Sequence, residues 1–154
     1  MTLYVHIVQE SSVRLWGLSS RQRLMRVLKS AGVTEVVDDI ASVPKNCSIL
    51  LLRADFLFED RVINYMVQMP DILLRIADDQ TNTIVAAHVS STMARQARDI
   101  VAGTAVAETL QGVRTENLET LSISFQRRLR KFEPPVVLPI TSQNSRILER
   151  RLFD

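Results

Sequence analysis

The chain has 154 residues, of which 46% are hydrophobic and 23% charged, and this composition suits one globular domain with a real core. Its 19 basic and 17 acidic residues leave a net charge of only +2, which is too small to indicate nucleic-acid binding. No apolar run approaches the roughly 20 residues of a membrane helix. Residues 1–9 lack the features of a secretory signal, and Cys47 is the only cysteine, so we expect a cytoplasmic domain without an intramolecular disulfide.

The first 32 residues predict a strand and then a helix. Residues 3–9 are β-branched and aromatic enough for a strand that is buried on both faces, and a polar loop follows over residues 10–17. Ser19 with Gln22 three residues later has the form of a capping box, after which apolar residues recur at helical spacing. Gly32 supplies the left-handed residue that commonly ends a helix.

The next sixty residues predict four more strands and a helix. Residues 33–37 are short and β-branched, and residues 48–53 form a continuous apolar run of strand length. Residues 59–69 have the pattern of a helix, with acidic residues in the first turn and Pro70 directly after it. Residues 72–76 and 83–89 then predict a hairpin whose connection carries turn-forming residues.

Helical patterns dominate the remaining residues. A helix is predicted from Ser91, with Gly103 as its breaker, and a short helix over residues 105–111. Residues 115–132 fit either an alternating strand or one face of a helix, and their length favours the helix. Residues 136–140 are predicted to be extended, and residues 142–153 to form a final helix without capping residues.

Strands that alternate with helices over the first ninety residues predict the doubly wound α/β class, with a mostly parallel sheet and helices on both faces. Ligands of such sheets bind outside the carboxyl ends of the strands. Two segments therefore become candidates for a site. They are the loop of residues 10–17 after the first strand and residues 53–55 after the apolar strand.

These segments carry a resemblance to a known family. The stretches RLWGLS (residues 14–19), AGVTEVV (31–37) and LLRADFLF (51–58) resemble motifs of the nucleotidyl transferases that make nucleotide sugars and related activated alcohols. The resemblance implies a Rossmann-like three-layer sandwich of the nucleotide-diphospho-sugar transferase type. It also implies CTP or a CDP-alcohol as ligand, with Mg²⁺ as the cofactor if a nucleotide binds.

The resemblance assigns roles to five residues and no catalytic group. Ser11 and Ser12 lie in the nucleotide loop, Arg14 would contact the phosphates, and Asp55 would hold the metal. Arg23 is a further nucleotide-binding candidate, in a region where the family has a lysine. A hard carboxylate oxygen suits Mg²⁺ and a guanidinium suits phosphate. However, residues 10–13 read ESSV where the family has G-x-G-T, so both loop glycines are missing. Glu10 also adds a negative charge where the triphosphate of a bound nucleotide would lie.

A second resemblance concerns the carboxyl-terminal residues. PITSQN (residues 139–144) and ERRLFD (149–154) are similar to the linker that joins a transferase-like domain to the membrane domain of certain CDP-alcohol phosphatidyltransferases. We therefore divide the chain into a nucleotidyl-transferase-like domain over residues 1–140 and a linker helix over residues 141–154. The expected partner is a downstream membrane domain that tethers this one.

The leading hypothesis is thus a catalytically degenerate amino-terminal domain of a phospholipid-synthesising transferase, with a structural or regulatory role. A rival is an active Mg²⁺-dependent cytidylyltransferase that acts on a sugar or polyol phosphate. A third hypothesis is a dimerisation or docking module, whose partner would be a second copy of the chain.

Several candidate residues also have ordinary structural interpretations. Asp55 could cap the turn after its strand, Arg14 could be a solvated loop residue, and Trp16 could be a lid or a core anchor. His6 is predicted to be a hydrogen-bonded histidine on the sheet, whereas His88 lies near a strand end. The basic run of residues 127–131 fits either a solvated helix face or attraction to anionic lipid headgroups.

Overall fold

A computed structural model of the chain describes residues 2–8, 18–77, 82–105, 110–121 and 137–140. Within these ranges the helices are α1 (Ser20–Ser30), α2 (Asp60–Gln68) and α3 (Ala94–Val101), with 3₁₀ turns at Ile40–Ser42 and Ser91–Met93. The strands are β1 (Leu3–Val8), β2 (Ser48–Arg53), β3 (Phe56–Phe58), β4 (Ile72–Ala77), β5 (Asn82–Ser90), β6 (Arg114–Glu116) and β7 (Val137–Pro139).

Helix α1 begins and ends as its sequence predicts. The Ser19 hydroxyl accepts the N–H of Gln22 at 3.2 Å, and the Gln22 side chain accepts the N–H of Ser19 at 2.9 Å, which completes the capping box. At the other end Gly32 has φ +84°, and the N–H of Val33 donates to the carbonyl of Leu28 at 2.9 Å. These bonds form a Schellman motif, which satisfies carbonyls that the helix would otherwise leave without partners.

The main sheet has five strands in the order β1-β2-β5-β4-β6. Strands β1 and β2 are parallel, as are β4 and β6, whereas β5 is antiparallel to both of its neighbours. Four of the five strands thus point one way, and the chain has an α/β fold with a mixed, mostly parallel sheet. The antiparallel strand follows from the β4–β5 hairpin, because a short connection can join only antiparallel neighbours.

The predicted strand over residues 33–37 is reduced to a single parallel bridge between Val36 and Val5. Backbone bonds hold it there: the N–H of Val5 donates to Glu35 and the N–H of Val37 donates to Val5, both at 2.8 Å. The segment therefore extends the sheet beyond β1, but its pairing is too short to form a strand.

Strand β2 is buried on both faces, as its continuous apolar run predicts. Leu50 and Leu52 belong to one hydrophobic cluster, which contains the buried residues of α1 and α2. Ile49 and Leu51 belong to a second cluster, which contains the buried residues of α3. All four side chains are fully buried, so β2 contributes to the core on both faces of the sheet.

Two helices predicted for the later part of the chain differ from the structure at the ends that it describes. Thr115 and Glu116 begin no helix, since they lie in β6 beside β4, and helical geometry is described only for residues 118–121 of the predicted helix. The described ends of the helix predicted over residues 105–111 are not helical. The reason for β6 is tertiary: the N–H of Arg114 donates to the carbonyl of Asp71 at 3.0 Å, a contact that local periodicity cannot reveal.

A second, two-stranded sheet joins β3 to β7, with Phe56 opposite Pro139. The extended conformation predicted for residues 136–140 is confirmed for Val137–Pro139. The loop of residues 10–17, the basic run of residues 127–131 and the linker helix predicted over residues 142–153 lie outside the described residues. Across the described ranges, no helix has the length and hydropathy needed to cross a bilayer.

Candidate functional site

The candidate site lies where β1 and β2 end side by side. Val8 at the end of β1 is in register with Arg53 at the end of β2, and the N–H of Ala54 donates to the carbonyl of Val8 at 2.7 Å. The chain then turns through Ala54 and Asp55 into β3. This is the carboxyl edge of parallel strands, where doubly wound sheets bind their ligands.

Asp55 makes an ion pair with Arg53 at this edge. The Nε–H of Arg53 lies 2.8 Å from one carboxylate oxygen of Asp55 and 3.1 Å from the other. The two side chains are 19% and 31% exposed, so water screens the pair only in part. The carboxylate therefore already has a cation that is supplied by the chain itself.

Arg53 is in turn fixed by the end of α3. Its Nη1 donates to the carbonyl of Val101 at 3.2 Å, and its guanidinium carbon lies 5.8 Å from the centre of the Phe56 ring. Gly103 passes close to the same group: a β-carbon at this position would lie 3.9 Å from Nη1. These contacts hold the guanidinium beside Asp55.

The ion pair decides how well Asp55 fits Mg²⁺. A divalent cation at the carboxylate would lie next to a guanidinium that other contacts hold in place, and the two positive charges would repel each other. Nor does the described part of the chain contain a group of three or more His, Cys, Asp and Glu side chains that could hold a metal. The fixed guanidinium disfavours a second cation at Asp55.

Arg23 lies in the first turns of α1, and its side chain is half-buried. Its Nη1 is buried and has no hydrogen-bond partner among the described residues. Burial lowers the pKa of the Arg23 guanidinium, since desolvation disfavours the charged form, although an arginine stays protonated at neutral pH. An acceptor such as a phosphate oxygen would satisfy this buried donor.

The other predicted nucleotide-binding residues, Ser11, Ser12 and Arg14, lie outside the described residues, as do Glu10 and Trp16. No described contact joins Arg23 to Asp55. The roles assigned to these five residues therefore stay predictions, and only the surroundings of Arg23 and Asp55 are defined.

The two histidines have structural partners. His6 donates Nδ1–H to the carbonyl of Val37 at 3.0 Å, which confirms a hydrogen-bonded histidine on the sheet. His88 is 5% exposed and donates Nδ1–H to the carbonyl of Met66 at 2.6 Å. That carbonyl needs a side-chain donor, because the residue four positions later is Pro70, which has no N–H.

Burial also controls the protonation of His88. Desolvation lowers the pKa of its imidazole, and this effect exceeds the opposite effects of the Met66 carbonyl, Asp71 and the Met69 carbonyl. His88 is therefore a neutral core residue rather than a ligand at the strand end.

The residue that sequence reasoning missed is Arg53. Its pairing had a visible signal, since Arg53 and Asp55 are opposite charges two residues apart where a strand ends. The contact with Val101 had no such signal, because 48 residues separate the two positions.

No protein-family model matches the chain, and no curated protein matches it.

Proposed function

We propose that the chain is a nucleotidyl-transferase-like domain that has lost metal-dependent chemistry. In this proposal it serves as the amino-terminal structural or regulatory domain of a CDP-alcohol phosphatidyltransferase, an enzyme of phospholipid synthesis. The observation that carries the loss of chemistry is the ion pair between Arg53 and Asp55, which neutralises the predicted metal ligand from within.

The first support for this proposal is the position of Asp55. The chain has an α/β fold whose sheet is mostly parallel, and Asp55 follows β2 at the carboxyl edge. A Rossmann-like three-layer arrangement, which we propose as the finer description, would use this edge for its ligand. A carboxylate at such a place is a natural metal ligand if no other cation takes it.

The second support is that the Asp55 carboxylate already pairs with a cation of the chain, Arg53. Arg53 carries the charge that Mg²⁺ would bring, and the carbonyl of Val101 and the ring of Phe56 hold it in place. A hydrated Mg²⁺ at Asp55 would add two positive charges beside a guanidinium that these contacts keep from moving away. Asp55 is thus a structural carboxylate in this domain.

The third support is the sequence of the loop after β1. The two glycines that let backbone N–H groups approach phosphates closely in the family are absent from this loop, and Glu10 adds a negative charge to it. The loop and the ion pair favour the same conclusion independently: neither the nucleotide loop nor the metal site keeps its catalytic form.

Calorimetric titration of the 154-residue chain with Mg²⁺ and CTP tests the proposed loss of chemistry. We expect no saturable heat at micromolar CTP, and no change in Asp55→Ala. Micromolar binding that requires Mg²⁺ and disappears in Asp55→Ala would overturn it. Asp60→Ala is a matched control, since it removes an exposed acid from the first turn of α2.

The proposal that the domain belongs to a membrane phosphatidyltransferase can be tested separately from the proposed loss of chemistry. If the domain belongs to a membrane phosphatidyltransferase, the natural reading frame beyond codon 154 encodes several apolar stretches of about 20 residues. A reading frame that stops there, or continues without such stretches, would contradict the context and leave the fold unaffected.

One observation favours the rival, an active cytidylyltransferase. The unpartnered Nη1 of Arg23 is a donor that a phosphate oxygen would satisfy. The rival predicts release of pyrophosphate from CTP in the presence of Mg²⁺ and a sugar or polyol phosphate, with turnover lost in Asp55→Ala. Absence of pyrophosphate across a panel of such acceptors would remove its support.

A further inference from the structure

The exposed face of α1 is basic and lies opposite the core. Leu24 and Leu28 lie on the side of the helix that packs against the core, and both are buried. On the other side, four residues recur at spacings of three and four, so they share one face of the helix. This α1 face consists of Gln22, Met25, Arg26 and Lys29, all of which are exposed.

Charge on α1 has a single sign. The helix contains three arginines, one lysine and no acidic residue. On the flank of the α1 face, Arg21 pairs with Asp38 at 3.0 Å. Arg26 and Lys29, the two cations of the face, make no ion pair with any residue in the described ranges. Their charges are therefore available to an anionic partner.

Met25 adds an apolar contact to this basic face. It is 42% exposed and is the only large hydrophobic side chain that is exposed in the described part of the chain. Because the core covers the apolar face of α1, a membrane contact of this helix would depend on the attraction of its cations to anionic lipid, with Met25 as the one apolar group beside them.

We infer that the α1 face docks onto an anionic phospholipid surface, with Arg26 and Lys29 against the headgroup phosphates and Met25 in the headgroup layer. The occupant follows from charge complementarity together with the proposed function, on which this inference rests, because a domain tethered to a phosphatidyltransferase works beside lipid. The linker would hold the domain close to the bilayer, so a weak contact would suffice.

Two exposed cations on the side of the sheet opposite α1 provide a matched control. Arg95 is exposed on α3, which packs on the second hydrophobic cluster, and Lys45 is exposed shortly after Val43, which contacts the same cluster. Removal of Arg95 and Lys45 changes the net charge by as much as removal of Arg26 and Lys29. The two double variants therefore differ in location and not in total charge.

Co-sedimentation of the 154-residue chain with vesicles tests the inference. We expect binding to phosphatidylcholine vesicles that contain phosphatidylglycerol, a loss of binding as salt rises, and no binding to pure phosphatidylcholine. Each cation near such a surface contributes about fivefold to partitioning, so Arg26→Gln with Lys29→Gln weakens binding by about 25-fold. Lys45→Gln with Arg95→Gln retains most of the binding.

A fluorescent probe tests the orientation. A polarity-sensitive dye on Met25→Cys, in a Cys47→Ser background, shifts to shorter wavelength with the anionic vesicles, whereas the same dye on Gln96→Cys of α3 does not. Equal loss in the two double variants, equal shifts at the two dye positions, or competition by RNA at equal affinity would overturn the inference. Neither vesicle assay contains nucleotide, so failure here is distinct from failure of the nucleotide titration.

Discussion

Arg53 and Asp55 form an ion pair in which one Nε–H is shared between both carboxylate oxygens, at 2.8 and 3.1 Å. The pair connects the end of β2 to the end of α3, because Arg53 also donates to the carbonyl of Val101. A residue that the sequence suggests as a metal ligand is therefore part of the internal structure of the fold. The contribution of this ion pair to the free energy of unfolding can be measured.

A double-mutant cycle of Arg53→Met and Asp55→Asn measures this pair. Because both side chains are only partly exposed, we expect a coupling free energy of about 1 kcal/mol in urea unfolding. The pair Arg21 and Asp38 is the control: its carboxylate is 88% exposed, so its coupling is expected at only a few tenths of a kcal/mol. Equal coupling in the two cycles would show that the Arg53 pair is an ordinary surface contact.

The capping box at the start of α1 predicts a second stability change. Ser19→Ala removes the acceptor of the Gln22 N–H and is expected to cost about 1 kcal/mol of unfolding free energy. Ser30→Ala removes a hydroxyl that donates only to the carbonyl of Arg26 in the same helix, and we expect it to cost much less. If Ser30→Ala destabilises the chain as much as Ser19→Ala, the cap is not the source of the effect.

Gly32 tests the end of the same helix. A β-carbon at this position would touch nothing within 4 Å, so the cost of Gly32→Ala is the cost of φ +84° for an L-residue, about 1–2 kcal/mol. Gly32→Asn should cost less, because asparagine tolerates left-handed geometry. Chemical unfolding of both variants checks this order, and the reverse order would contradict the backbone explanation.

His88 predicts how stability depends on pH. Burial lowers its pKa in the folded state, whereas an unfolded histidine titrates near pH 6.5, so below that pH the unfolded state binds more protons. The contribution of His88 is therefore fully present above about pH 6.5 and is lost as pH falls toward the folded-state value.

Urea unfolding at pH 8 and pH 5 checks this dependence, with lower stability expected at pH 5. His88→Asn keeps a donor near the position of Nδ1 but does not titrate. It should lower stability at both pH values because it is smaller, and should reduce the difference between them. An undiminished difference in His88→Asn would assign the pH dependence to other groups.

Local features of the fold were predictable from the sequence. The capping residues Ser19 and Gln22 interact over three positions, and the apolar run of β2 needs no partner to be recognised as a buried strand. The hairpin of β4 and β5 joins neighbours in the sequence. In each case the determining contacts lie within a few residues, where periodicity and turn chemistry reveal them.

Pairings between distant segments were not predictable in this way. Strand β6 exists because Arg114 meets the backbone of Asp71, and β3 exists because Phe56 meets Pro139. Three-residue strands are too short to show a period of two. The same limit applies to the site: the position of Asp55 at a strand end was visible, but the contact that fixes its partner Arg53 comes from α3.

The central claim is that Arg53, and not a divalent metal, neutralises Asp55. The most direct measurement is the broadening of amide NMR signals by Mn²⁺, which accepts the oxygen ligands that Mg²⁺ uses. We predict no selective broadening of the Ala54, Asp55 and Phe56 amides when stoichiometric Mn²⁺ and CTP are added to the chain. Selective broadening of these amides at stoichiometric Mn²⁺, abolished by Asp55→Asn, would contradict the account.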